Sequence, residues 1–302
     1  MPPLARIALS LAAATMLAGC LAFHEGPLPN EPRTATYAEI DGVRLRYTDS
    51  GGTGPAVVLL HGFASSLETW DAVVPSLTPT FRVVTLDLKG FGWSERPEGD
   101  YSPAAEAKLV FGLLDQLGIS QSAVVAHSWG SSVALAMAAA APERITKLAL
   151  YDAWVYEDQL PTFFLWARVS GLGEAMFWLW YAERADERMA LAFYDQSYVT
   201  EDLVEAVERY LDQPGAVAAA LAAVRGQTLE DLEPQYAEVQ VPTLLLWGRE
   251  DRVVPLSVGE RLAREIPRAR LVVYPRCGHF PMFEAASTST ADLLSFLRET
   301  TP

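Results

Sequence analysis

Histidine and cysteine are scarce in this 302-residue sequence: four histidines stand at positions 24, 61, 127 and 279, and two cysteines at 20 and 277. No two histidines are spaced as a ligand pair on one helix, and no Cys-x-x-Cys occurs. That argues against a dedicated zinc or iron site, and no cofactor or metal is expected. Basic residues are few as well. Against 38 Asp and Glu there are 23 Lys and Arg, a formal charge of −15, and such a chain lacks the basic face that nucleic-acid phosphates require. The one apolar run of any length, at the N-terminus, is too short and too Ala-rich for a membrane span. Internal repeats are absent, and no low-complexity tract occurs beyond one Ala-rich helix. What is present is a chain 50% hydrophobic and 20% charged, the composition of a well-cored globular protein of one large domain or two modest ones.

Met1 to Phe23 carries one arginine, Arg6, then an apolar stretch from Ile7 to Ala18 and small residues after it. This is the three-part build of a secretory signal. Leu17-Ala18-Gly19-Cys20 resembles the lipobox of bacterial lipoproteins, in which cleavage falls before the cysteine and its thiol carries a diacylglycerol. The resemblance implies a signal peptide over 1–19, lipidation of Cys20, and a protein exported to the bacterial cell envelope and lipid-anchored at the periplasmic face or the outer membrane. Several acyl chains on one residue anchor stably where one is marginal. An ordinary cleaved signal and an uncleaved apolar anchor are the alternatives. Residues 20–36, with Pro27, Pro29 and Pro32, read as an extended tether with a reach of roughly 50 Å at most. His24 within it reads as a solvated linker histidine.

From Tyr37 onward short apolar runs alternate with helical stretches. Tyr37–Ile40 and Val43–Thr48 flank the hairpin turn Asp41-Gly42. Ala56–Leu60, Phe81–Leu86, Ala123–Ala126, Lys147–Tyr151, Thr243–Trp247 and Arg270–Tyr274 read as buried strands, and Pro103–Leu117, Trp129–Ala141, Val258–Glu265 and Ala285–Glu299 as helices. Such alternation predicts an α/β fold, a mostly parallel eight-stranded sheet flanked by helices on both faces. The core is expected over 37–152 and 237–302.

The insertion between these parts, 153–236, has no buried-strand pattern. It reads as a helical cap, with breaks near Gly171-Leu172-Gly173 and Gln213-Pro214-Gly215. It holds 15 acidic and 5 basic residues, so −10 of the chain's −15 lies here. Its first half is rich in aromatics, including Trp154, Phe163, Phe164, Trp166, Phe177, Trp178 and Tyr181. The plain reading is a subdomain with an aromatic core and solvated acidic faces; the sharper one adds an apolar wall above a site at the sheet's C-terminal edge.

Ala126-His127-Ser128-Trp129-Gly130 joins an apolar strand to the Ala-rich helix, the strand–turn–helix setting of a nucleophile elbow. Small residues at 126 and 130 let the two backbones approach and expose the serine hydroxyl. A hydroxyl at its ordinary pKa needs a base, and the base needs an orienting acid. His279, in Cys277-Gly278-His279-Phe280-Pro281, follows the last strand; Asp251, in Gly248-Arg249-Glu250-Asp251, follows the strand before it. Glu250 and Asp152 are rival acids. His127 reads as structural and Cys277 as a partly buried bystander.

From Tyr37 to its end the chain resembles an α/β-hydrolase with a helical cap. Five matches fall in family order: His61-Gly62-Phe63, Asp87 to Ser94, the elbow, Gly-Arg-Glu-Asp at 248–251 and Gly-His at 278–279. The resemblance implies a Ser128, Asp251, His279 triad and an oxyanion hole from the backbone N–H groups of Phe63 and Trp129, with His61 bracing that loop.

His-Ser-Trp-Gly at 127–130 is similar to the elbow of haloalkane dehalogenases and epoxide hydrolases, but those use a carboxylate nucleophile. A serine would leave a stable ether, so Ser128 argues against both activities. Ser-Trp-Gly-Ser also resembles proline iminopeptidases, although His-Gly-Phe-Ala at 61–64 departs from their His-Gly-Gly-Pro. The expected function is hydrolysis of esters with small to medium apolar acyl groups, the substrate and the membrane being the expected partners. An iminopeptidase-like enzyme, a meta-cleavage C–C bond hydrolase and a non-catalytic ligand-binding lipoprotein stand as alternatives.

Overall fold

The computed structural model describes residues 21–181 and 185–300; the signal segment 1–19 and Cys20 lie outside the described residues. Eight strands form one sheet: β1 Thr36–Ile40, β2 Val43–Asp49, β3 Ala56–Leu60, β4 Arg82–Leu86, β5 Ser122–His127, β6 Ile145–Tyr151, β7 Thr243–Gly248 and β8 Ala269–Tyr274. The spatial order is β1-β2-β4-β3-β5-β6-β7-β8. β1 and β2 pair antiparallel, as do β2 and β4, and every later pairing is parallel. The hairpin at Asp41-Gly42 has positive φ at both residues, the geometry that tight hairpin turns need.

Side chains alternate between two cores because successive strand residues point to opposite faces. Val58, Leu60, Val84 and Val124 join one cluster, whereas Val57, Leu59, Val83 and Val125 join the other. The first is covered by α1 Pro103–Gln116 and α2 Gly130–Ala140. Ser102 caps α1, its side chain accepting from the Ala105 N–H, and Pro103 sits at the first turn where its missing donor costs nothing.

Between β6 and β7 the cap runs through α3 Thr162–Ala167, α4 Leu172–Trp180, α5 Ala185–Ala192, α6 Glu201–Leu211 and α7 Ala216–Gly226. Gly171 and Gly215 both have φ of 81°, so the α3/α4 and α6/α7 breaks fall where the glycines predict. The insertion's ends meet at a neck, where the Tyr236 hydroxyl donates to the Val155 carbonyl. α8 Leu256–Glu265 and α9 Ala286–Arg298 complete the core, α9 on the face opposite α1 and α2.

The tether expected before Tyr37 is not free. Residues 23–31 lie against the core: the Phe23 ring stacks on Tyr101 at 6.2 Å, Leu28 is buried, His24 exchanges backbone hydrogen bonds with Arg96 at 2.9 and 3.1 Å, and Glu31 pairs with Arg44 at 2.7 Å. Proline removes backbone donors, but two apolar side chains are enough to dock the segment. The 50 Å reach is therefore corrected; His24 is held through its backbone, while its ring stays half-exposed near the Pro27 carbonyl.

Candidate active site

The parallel strands end on one edge of the sheet, and the groups singled out by the sequence are gathered there. His61 follows β3, Asp87 follows β4, Ser128 follows β5, Asp152 follows β6, Asp251 follows β7 and His279 follows β8. Ser128 has φ of 50°, the left-handed region that costs a non-glycine residue of order 1 kcal/mol or more. The turn is held by the Ser128 N–H donating to Tyr151 O at 2.9 Å and by the Ser128 carbonyl accepting from Ser131 and Trp154 at 2.9 and 3.1 Å. Glycine at 130 is a steric requirement, since a Cβ there would lie 2.4 Å from the His61 carbonyl oxygen. Ala126 is fully buried in β5, and its methyl has room.

His279 Nε2 lies 2.9 Å from Ser128 Oγ, and His279 Nδ1 lies 2.7 Å from Asp251 Oδ2. All three residues are buried. The other Asp251 oxygen, Oδ1, accepts from the N–H groups of Val253 at 2.7 Å and Val254 at 3.0 Å. The acid is thus fixed in place by three donors.

Asp152 sits beside it. One atom each from Asp152, Asp251 and His279 come within 4.8 Å of one another, the one such potential ligand grouping among the described residues; His279 Nδ1 is already engaged by Asp251. Asp152 Oδ1 accepts from the Gly248 N–H at 2.9 Å, whereas Oδ2 is buried and faces no donor. Complete burial, then the charge of Asp251, push its pKa well above the ordinary carboxylate value. Two carboxyls this close in a dry site cannot both ionise. Asp152, fully buried and with one donor, is the carboxyl that holds a proton, and it can donate it toward Asp251.

The oxyanion loop meets the elbow closely. A Cβ on Gly62 would lie 3.0 Å from Ser128 Cβ and 2.9 Å from His127 Nδ1. Among the described residues neither the Phe63 nor the Trp129 N–H has an acceptor, so both are free to meet a developing oxyanion. His61 braces this loop: Nδ1–H donates to Gly62 O at 2.7 Å, and Nε2 accepts from the Leu88 N–H at 3.0 Å. Burial lowers its pKa to about 4, so it is neutral.

Some contacts could not be read from sequence spacing. His127 Nε2–H donates to the His279 carbonyl at 2.8 Å, and its ring packs 4.7 Å from that of His279. Glu284 accepts from Gly278 N–H at 2.6 Å and from Tyr194 and Asp195 N–H at 2.8 Å each. Arg252 donates to the carbonyls of Ala190 at 2.7 Å and Phe193 at 3.0 Å. Glu250, weighed as a rival acid, accepts from the Cys277 N–H at 3.1 Å and so ties the acid loop to the base loop. Cys277 is fully buried, and burial raises its pKa.

The apolar wall is built from part of the aromatic set. Phe63 packs on Phe164 and Tyr181 of the cap at 5.5 and 6.3 Å and on Phe91 at 5.4 Å; Trp154 packs on Phe164 at 5.6 Å. Trp166 and Trp178 instead face solvent and contribute nothing to it.

Comparison with known proteins agrees with this architecture. The family described as alpha/beta hydrolase fold matches residues 55–286. The chain is 32% identical over 269 residues to the 2-hydroxymuconate semialdehyde hydrolase of Pseudomonas putida, covering 85% of this chain and 92% of that protein. The solved meta-cleavage product hydrolase of Pseudomonas fluorescens superposes with a TM-score of 0.75 at 27% identity, over 88% of this chain and 98% of that one. A thermophilic esterase from Thermogutta terrifontis gives 0.75 at 28% identity, with the same coverage of 88% and 98%. The chain belongs to the α/β-hydrolase family and is a hydrolase of that fold.

Proposed function

We propose that this hydrolase cleaves carboxylic esters of small to medium apolar acyl groups through an acyl-enzyme. The observation that carries the reading is the unbroken chain from Ser128 Oγ through His279 to Asp251, beside an oxyanion loop whose Phe63 packs on Phe164 of the cap. His279 Nε2 takes the Ser128 proton as Oγ attacks the ester carbonyl. The oxygen, now negative, is met by the N–H groups of Phe63 and Trp129, each such donor being worth about 10²–10³ in rate. His279 then returns the proton to the leaving alkoxide, and water repeats the sequence on the acyl-enzyme. Asp251 holds the imidazole tautomer and offsets its charge.

Hydrolysis of a C–C bond is the second reading, favoured by the names of the relatives, which act on 2-hydroxymuconate semialdehyde and on meta-cleavage products. Such acids carry a carboxylate that calls for a cation. Two of the cap's five arginines, Arg168 and Arg225, are engaged in ion pairs with Glu157 and Glu174 and so are not free to meet it, which supports the ester reading. A fluorophosphonate probe on the purified chain, beside Ser128→Ala and His279→Ala, tests the nucleophile; absence of Ser128-dependent labelling overturns both readings. Rates on 4-nitrophenyl acetate through hexanoate, set against a 2-hydroxy-6-oxo dienoic acid, choose between them. Rates that rise toward hexanoate and no turnover of the diketone acid are expected. Lipidation of Cys20 and attachment to the cell envelope belong to the same proposal, supported by Leu17-Ala18-Gly19-Cys20; the mass of the mature N-terminal peptide tests them.

A further inference from the structure

Among the described residues, every large hydrophobic side chain that is more than a third exposed lies between Leu165 and Tyr198, in the cap. Six of them, Leu165, Trp166, Val169, Leu172, Trp178 and Leu179, belong to α3, α4 and the link between them, with Trp166 56% and Trp178 48% exposed. On α4, Leu172 and Leu179 are seven residues apart and so share a face. Ala175 and Trp178 lie beside them, giving an apolar stripe with no charge in it. Monomeric proteins rarely leave such a stripe uncovered.

The charge of this face is as informative as its apolarity. In a chain of net −15, residues 161–181 contain one arginine and one glutamate. Arg168 is paired with Glu157, and Glu174 with Arg225 at 2.8 Å. The acidic surface of the cap lies elsewhere, along α5 and α6, so this face is electroneutral.

The path of the chain selects the partner. Leu21 and Phe23 line a surface groove together with Glu174 of α4 and Leu221 and Arg225 of α7. Whatever precedes Leu21 therefore leaves the fold beside the helix that displays Leu172, Trp178 and Leu179, and what precedes it is Cys20, the residue proposed above to carry the lipid anchor. Because residues 23–31 are docked on the core, that exit point is fixed. Two apolar features thus converge at one end of the molecule, and exposed tryptophans with leucines are the side chains that settle at a membrane–water interface. Among the described residues no helix is long and apolar enough to cross a bilayer, so the contact is one of lying on the surface.

We propose that the α3–α4 face of the cap docks on an electroneutral lipid surface, which holds the cap against the bilayer and admits lipid-dissolved esters to the site. α3 joins the two environments: Phe164 packs on Phe63 at the oxyanion loop, while Leu165 and Trp166, the next residues, face outward. The docking goes beyond the ester-hydrolase reading, and only the entry of esters rests on it.

The test uses the full chain reconstituted in phosphatidylcholine vesicles with or without brominated acyl chains, read by tryptophan emission. Brominated lipid is expected to quench the emission. Trp166→Phe with Trp178→Phe should remove at least half of that quenching, and the effect should not change between low and high salt, because no charge attraction is involved. Quenching that is absent, or equal in parent and variant, overturns the proposal; it means that the face is covered by a second copy or by the chain's own apolar leader. Quenching lost at high salt also overturns it. In a second arm, Trp166→Gln with Trp178→Gln should hydrolyse water-soluble 4-nitrophenyl acetate at the parental rate and a vesicle-dissolved ester at least tenfold more slowly. Equal rates on the vesicle-borne ester overturn the entry route. If the parent fails on the soluble ester, the ester reading falls, while the quenching still decides the docking.

Discussion

The backbone N–H of His279 donates to the carbonyl of Ala192, the last residue of α5 in the cap, at 2.7 Å. The base is thereby tied to the cap rather than only to the core. The same cap segment is gripped by Arg252 beside the acid and by Glu284 below the base. Gly278 makes this approach possible: a Cβ on it would lie 2.3 Å from Ala192 O and 2.8 Å from Tyr194 N. Gly278→Ala must therefore part the base loop from the cap. A displacement of that order at a reacting group costs about 10- to 100-fold in kcat/KM, and this fall is expected on short esters. A parental rate in Gly278→Ala would show that the cap contact does not position His279.

Asp152 lies against Asp251 in a buried site that raises its pKa, and the assignment of a proton to Asp152 is open to measurement. An amide at 152 keeps an acceptor for Gly248 N–H and a donor toward Asp251, so Asp152→Asn should keep kcat within about threefold of the parent. Asp251→Asn removes the charge that stabilises the imidazolium and should cost about 10³–10⁴ in kcat. The reverse outcome would make Asp152 the ionised acid. Asp152→Ala is expected to destabilise the fold by about 1–3 kcal/mol, because it leaves the Gly248 N–H buried without an acceptor.

The sheet and the meeting of Ser128, Asp251 and His279 were legible for one physical reason. Strands buried on both faces are short apolar runs, and the groups at the sheet's C-terminal edge stand within five residues of where those runs stop. Glycines at 130, 248 and 278 added punctuation that the packing explains: a Cβ on Gly248 would lie 1.8 Å from the Gly278 carbonyl. What stayed illegible depends on contacts far apart in the chain, such as His127 to His279 or Glu284 to Tyr194. The orientation of the cap aromatics was hidden for another reason. α4 reads Leu-Gly-Glu-Ala-Met-Phe-Trp-Leu-Trp, so apolar on all sides that no periodicity separates inward Phe177 from outward Trp178. Residues 20–36 misled because proline content speaks of missing donors and says nothing of the anchoring by Phe23 and Leu28.

The two small positions of the elbow should respond unequally. Ala126→Gly removes a methyl that fits and adds backbone freedom in a central strand, a loss of roughly 0.5–1 kcal/mol of stability with hydrolysis unaffected. Gly130→Ala drives a methyl into the His61 carbonyl at 2.4 Å and Leu60 O at 2.9 Å. Relief requires the end of β3 to move, and the Phe63 N–H moves with it. Stability should fall by about 1–3 kcal/mol, and fluorophosphonate labelling of Ser128 should slow at least tenfold. Denaturant midpoints and labelling rates on the two variants check both claims. Equal behaviour would refute the assignment of Gly130 as the position that fixes the oxyanion loop.

His61 gives the site a pH dependence that is separable from that of the base. Its Nε2 accepts the Leu88 N–H, so a proton there breaks that bond and charges a fully buried ring. The folded pKa of about 4 lies below the ordinary 6.5, mainly through burial. Between those values the unfolded chain binds more protons at this position than the folded one, so stability rises with pH across the window. The contribution is complete above about pH 6.5 and is lost as pH falls to 4, an effect of at most roughly 3 kcal/mol. His61→Gln keeps an acceptor near the Nε2 position and does not titrate. Urea unfolding at pH 7 and pH 4.5 should therefore show a smaller loss for the variant than for the parent, by about the slope of one proton. Ester hydrolysis at pH 7 should be retained in part, since the loop keeps its Leu88 bond. Equal pH slopes in the two proteins would mean that His61 keeps the same protonation state in the folded and unfolded chain, against its burial.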